Sequence, residues 1–227
     1  MLVSFGAAPG GIGLGVGLVR QAAALDDVAQ AMLAAQQAGD LDAVKRNAEA
    51  AVNLIEGSNG ADFGDLDGDG AVNNPGDGFG LLLNGDHAGY VEGAIQHALL
   101  GSRAADATVN MQFHAGHVAV AAANVEKWAV ELRDLTLQIV AAPDLNGTEQ
   151  LVRQATELAD RLLRGQDLNG NESIDPLPDE GGALTAFQHA QYMADLFLLP
   201  GTNQIPTPAP TPGPGEALPT EAGDYNY

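Results

Sequence analysis

The residues with the clearest chemical potential are Asp65, Asp67 and Asp69. These are three carboxylates at alternate positions in the run Asp65-Leu66-Asp67-Gly68-Asp69-Gly70-Ala71-Val72-Asn73. A hard Ca2+ ion takes roughly six to eight oxygen ligands, and alternate residues of a tight turn can all face one point. Gly70 permits a sharp bend, and Val72 is of the type that anchors such a loop to a core. The spacing predicts a calcium loop with Asp65, Asp67, Asp69, the Ala71 carbonyl and Asn73 as ligands. The pattern recurs at a fixed offset of 102, from Asp65 to Asp167, as Asp167-Leu168-Asn169-Gly170-Asn171-Glu172-Ser173-Ile174-Asp175. There the expected ligands are Asp167, Asn169, Asn171, the Ser173 carbonyl and Asp175. The twelfth position of such loops holds a bidentate glutamate. Here it holds Gly76 and Pro178, each followed by an aspartate, so Asp77 and Asp179 are the expected closing ligands. The same residue types also favour tight turns without any ion. The ion's expected work is structural. Without it Asp65, Asp67, Asp69 and Asp77 repel one another, so binding free energy becomes folding free energy.

Histidines make the rival site. His114 and His117 stand three apart and share a helix face, while His87 and His189 occupy equivalent places in the repeat. Together these four could hold zinc, copper or iron. The plainer reading is that they edge the core or bond loop carbonyls, with Tyr90, Tyr192 and Trp128 as core anchors. No G-x-S-x-G, H-E-x-x-H or phosphate loop is present, and no catalysis is expected.

The elements that must position these groups read as helices. Leu25, Val28, Met32 and Leu33 mark a helix over Gln21–Gln37. Val44, Ala48, Ala51, Val52 and Ile55 mark a second, ending near Glu56. Asn84 or Asp86 is expected to cap a third, through His87, Tyr90 and Ile95 to Leu99. A long apolar-periodic region covers about 104–141, a further helix about 149–164, and Thr185 with Gln188 forms a capping box for a last helix to Leu199. No strand is expected.

The offset of 102 persists from Asp65 to Tyr90, matching Tyr192. Upstream it becomes 108, with Val44, Glu49 and Ile55 matching Val152, Glu157 and Leu163. Each unit is thus helix, helix, acidic loop, helix. The expectation is an all-α, pseudo-two-fold bundle of about six helices with two calcium loops, from repeats at about 22–101 and 104–200. Residues 1–19 carry no charge and six glycines, and are expected to be a flexible lead-in. Residues 201–227, rich in proline and threonine, are expected to be a disordered tail.

The net charge of -21, with only two lysines, argues against nucleic acid or an anionic membrane as partner. The absence of cysteine removes disulfides and thiolate sites. No direct membrane insertion of this chain is expected.

Both loops resemble the calcium loops of EF-hand and dockerin proteins, departing from them at the closing position. Pro75, Pro176 and Pro178 also forbid the usual immediate exit helix. More widely, Gly64 to Gly70, Asn74 to Gly80, His114-Ala115-Gly116-His117 and His189 to Asp195 resemble an uncharacterised helical repeat region. That region follows anti-sigma-factor-like domains or linkers in bacterial envelope proteins. It often carries a histidine where this chain has Asn47. The resemblance covers about 20–200 and implies a place in the cell envelope, without an activity.

The expectation is a calcium-stabilised extracellular structural, adhesive or sensory module without catalysis. Its partners would be calcium ions and a protein, or a second copy, at the cell surface. The alternatives are a histidine-based transition-metal protein or enzyme and a dockerin-like protein-binding module.

Overall fold

A computed structural model describes residues 1–195. Six helices follow in order: α1 (Leu14–Ala38), α2 (Leu41–Glu56), α3 (Tyr90–Ser102), α4 (Val109–Val140), α5 (Glu149–Arg164) and α6 (Ala183–Tyr192). Among the described residues there is no strand, only isolated bridges between Ser4 and Ile12 and between Asn84 and His87. The protein is an all-α bundle. No helix of the described residues is long and apolar enough to cross a membrane.

Local chemistry sets most boundaries. Gly39 stops α1 with a left-handed φ of 77°, and the Asp40 carboxylate accepts the Ala43 N–H to open α2. Thr108 opens α4 by accepting the Met111 N–H. The start of α6 differs from the expected capping box. The helix begins at Ala183 with no side-chain cap, and Thr185 is buried in its first turn. Gly182 abuts the Gly165 backbone, where a Cβ would lie 2.6 Å from the Gly165 nitrogen, so close backbone packing delivers the chain into this helix. The part of the last helix expected beyond residue 195, and the proline–threonine tail, lie outside the described residues.

The expected lead-in also differs. Helix α1 begins at Leu14, and Leu14, Gly15, Gly17 and Leu18 are buried. Ahead of it the chain folds back, so that the Met1 and Leu2 carbonyls accept the Leu14 and Gly15 N–H groups. The glycines here serve close packing. A Cβ on Gly17 would overlap the Tyr90 ring, and one on Gly13 the Leu2–Val3 backbone.

The core is one main seam, with a smaller cluster beside it where Ala98 of α3, Ala115 and Val118 of α4 and Ala190 of α6 meet. Leu18, Leu25 and Met32 of α1 and Val44 and Ile55 of α2 meet Trp128, Leu132 and Ile139 of α4 and Val152 and Leu162 of α5. Each such apolar side chain contributes about 1.5–3 kcal/mol on full burial. The 32-residue helix α4, about 48 Å long at 1.5 Å per residue, packs against α2, α3, α5 and α6, and α1 packs against α2, α3, α5 and α6. The chain passes from α2 to α3, and again from α5 to α6, through the two acidic loops. Both loops therefore leave a 16-residue helix that lies against α1 and α4.

Candidate metal centres

The first loop is organised from below by a residue outside it. Glu49 of α2 is fully buried. Its Oε2 accepts the N–H groups of Leu66 (2.7 Å) and Asp67 (3.1 Å), and its Oε1 accepts those of Asn73 (2.7 Å, backbone; 3.3 Å, side chain). Asn53, one turn further along α2, binds the Gly64 and Asn73 carbonyls and accepts the Gly64 N–H. On this base the loop folds as successive aspartate turns. Asp65 accepts from Gly68 and Gly70, Asp67 from Asp69, and Asp69 from Ala71. Gly68 and Gly70 take φ of 79° and 89°, where other residues are strained.

Glu49, Asp65 and Asp67 each bring a carboxylate oxygen within 4.8 Å of the others. Burial, and then the charges of Glu49, Asp69 and Asp65, push the Asp67 carboxyl above its ordinary range, against the Asp69 N–H that it accepts. The basic group recorded beside the loop is Arg46, 3.4 Å from Asp69.

Asp77, expected to close this loop, is held elsewhere. Its Oδ1 accepts from Gln21 (2.7 Å) and the Phe79 N–H, and its Oδ2 accepts the Tyr90 hydroxyl at 2.6 Å. It ties the loop exit to α1 and α3, and the acid beside Asp65 and Asp67 is Glu49. Val72, expected to anchor the loop, is half-exposed. Leu66 packs on the core instead.

The second loop repeats the turn chemistry with a different base. Asp167 accepts from Gly170, Asn171 and Glu172, and these N–H groups, Glu172 foremost, lower its carboxyl below the ordinary range. Asp175 receives the side-chain amides of Asn169 and Asn171 and the Ser173 hydroxyl. The buried Glu180 accepts the Asp175 N–H, while Glu157, the repeat equivalent of Glu49, is exposed. Asp179 lies at a φ of 64°, with its N–H on Asn124 and its carboxylate 2.7 Å from Lys127.

The histidines divide. His87 is exposed and stands outside the cluster that holds His189. His97 bonds the Gly93 carbonyl and meets the edge of Phe5. His114 and His117 of α4 converge with His189 of α6, their Nδ1 atoms 2.8 and 3.3 Å from the His189 Nδ1. Burial lowers all three below the ordinary imidazole value, most for His189, to about 4. His117 adds to the shift on His114, and His117 and His114 add to that on His189.

Glu49 is the residue that sequence reading missed. Its signal was a carboxylate inside the buried run Ala48–Glu56 of α2, where charge is rare unless it has a partner.

Comparisons with protein-family models, curated proteins and solved structures give no match to this chain.

Proposed function

We propose that this chain is a calcium-stabilised, non-catalytic structural module that works outside the cell, with two helical units related by a pseudo-two-fold. The observation that carries the reading is the convergence of Glu49, Asp65 and Asp67 within 4.8 Å. Three carboxylates so close repel one another in the metal-free state, and a hard divalent cation turns that repulsion into attraction. Asp69, the Ala71 carbonyl and Asn73 supply the further oxygens. Asp167, Asn169, Asn171, the Ser173 carbonyl and Asp175 form the weaker second loop, with fewer charges. The ion joins a loop without regular structure to α2 through Glu49, so filling the site stabilises the bundle.

An extracellular location suits the affinity expected of such loops. Extracellular modules with such loops bind at about 10⁻⁴–10⁻³ M, a range that extracellular calcium fills. The likeness of both loops to EF-hand and dockerin loops, and of the wider chain to the envelope-protein helical region, supports the same reading.

Thermal or urea unfolding with excess EDTA and with millimolar calcium tests it. At roughly ten times its dissociation constant, which millimolar calcium reaches for a site of about 10⁻⁴ M, one calcium adds about 1.4 kcal/mol, and magnesium at equal concentration adds less, since it demands a tighter octahedron. Superimposable unfolding curves in EDTA and calcium would remove the proposal.

A further inference from the structure

We propose that His114, His117 and His189 form a binding site for one divalent transition-metal ion of borderline softness, of the Zn2+ type, separate from the acidic loops. The two sites share no residue. Imidazole nitrogen suits zinc, copper, nickel or iron, whereas calcium takes oxygen.

The geometry is that of ligands around a point. His114 and His117 lie one turn apart on α4, and His189 faces them from α6, which packs against that helix. The Nδ1–Nδ1 separations of 2.8 and 3.3 Å approach the spacing around a tetrahedral zinc. With Zn–N bonds of 2.0–2.1 Å, neighbouring ligand nitrogens are about 3.3–3.4 Å apart. One ligand atom from each ring falls within 4.8 Å of the other two.

Hydrogen bonding accounts for only one of the two contacts at the His189 Nδ1. A neutral imidazole carries one N–H, so the His189 Nδ1 is either a donor or an acceptor. As a donor it has one proton for two facing nitrogens. As an acceptor it has one lone pair for two donors. A metal ion at the point of convergence takes a lone pair from each ring and leaves each Nε2 protonated.

The surroundings hold the rings in place. Phe113 meets His114 and His117 edge-on, with centroids 5.1 and 4.5 Å away, and Tyr192 lies 5.2 and 5.5 Å from His114 and His189. All three histidines are half-buried, so a fourth coordination position is open to a water molecule or a small anionic ligand.

The test uses the untagged full chain, stripped of metal and held in about 10 mM calcium so that loops with affinities of about 10⁻⁴–10⁻³ M are mostly occupied. Zn2+ is titrated by calorimetry, and Co2+ by the visible absorption that a four-coordinate site makes intense. The expected result is one equivalent of Zn2+, with the Co2+ bands displaced by it. His189→Ala and His114→Gln should each weaken Zn2+ binding by more than about 100-fold, beyond the 10–100-fold effect of losing a mere outer-shell partner. His87→Ala should bind as the parent does. Helical circular dichroism identifies any variant that has failed to fold, and two substitutions on different helices guard against that outcome. No saturable Zn2+ uptake by the parent, or uptake unchanged in both folded histidine variants, overturns the assignment. Neither result bears on the calcium reading, which rests on the EDTA comparison.

Discussion

Glu49→Ala is expected to lower the stability of the metal-free protein by about 3–5 kcal/mol, since hydrogen bonds to a charged group contribute about 1.5–3 kcal/mol each and are not fully additive. The carboxylate is fully buried and accepts from three backbone N–H groups, those of Leu66, Asp67 and Asn73. Alanine leaves those donors without an acceptor at the place where the loop meets α2. Water can reach part of the exposed loop, which keeps the loss below the sum of three bonds. Glu157→Ala is the control. It removes the repeat-equivalent carboxylate from the same helix position in α5, but Glu157 is exposed, so the change should stay within about 0.5 kcal/mol. Urea unfolding in EDTA measures both. Equal midpoints for Glu49→Ala and the parent would show that the loop does not depend on this tie. Under the proposed function, Glu49→Ala also shrinks the gap between the calcium and EDTA curves. Glu157→Ala leaves that gap intact.

The second large effect is expected at Gly17. Its helix position on α1 lies against the ring of Tyr90, which is fully buried, and an added Cβ would overlap ring carbons. The ring has little room to retreat. It packs on Phe79 at a centroid distance of 4.6 Å, and its hydroxyl donates to Asp77 at 2.6 Å. Gly17→Ala therefore combines overpacking, at about 1–3 kcal/mol, with loss of a charge-assisted hydrogen bond, at about 1.5–3 kcal/mol. Helix propensity alone would make the same change favourable by about 0.5–1 kcal/mol. Gly116→Ala in α4 isolates that gain, because nothing lies within 4 Å of its added Cβ. Melting temperatures should move in opposite directions for the two variants. A stabilised Gly17→Ala would mean that Tyr90 is not fixed where it lies.

Much of the architecture is legible in the sequence. The start of α2 follows from Asp40, and its end from Gly57. The bounds of α5 matched the apolar pattern between Thr148 and Gly165. These features depend on neighbours within a turn or two, so period, caps and turn residues carry them. The aspartate turns were legible for the same reason, since Asp65 reaches only as far as Gly68 and Gly70. Residues 1–19 misled because glycine serves both flexibility and close contact, and only the place of Tyr90, far along the chain, shows which role Gly17 has.

What the sequence by itself determined is the set of helices, the two acidic turns and the pairing of the units along the chain. The tertiary structure decided which groups meet. Glu49 lies 17 residues before Leu66 and joins the first loop because α2 runs beneath it. Asp77 belongs to that loop by position, yet is drawn to Gln21, 56 residues away, and to Tyr90. His114 finds His189 across 75 residues, because α4 and α6 pack together, while His87 stays exposed. The physical reason is one of range. Turn and helix preferences are set by local sterics and hydrogen bonds, whereas the partner of a buried carboxylate or imidazole is set by how helix faces pack across the bundle, which spacing along the chain does not encode.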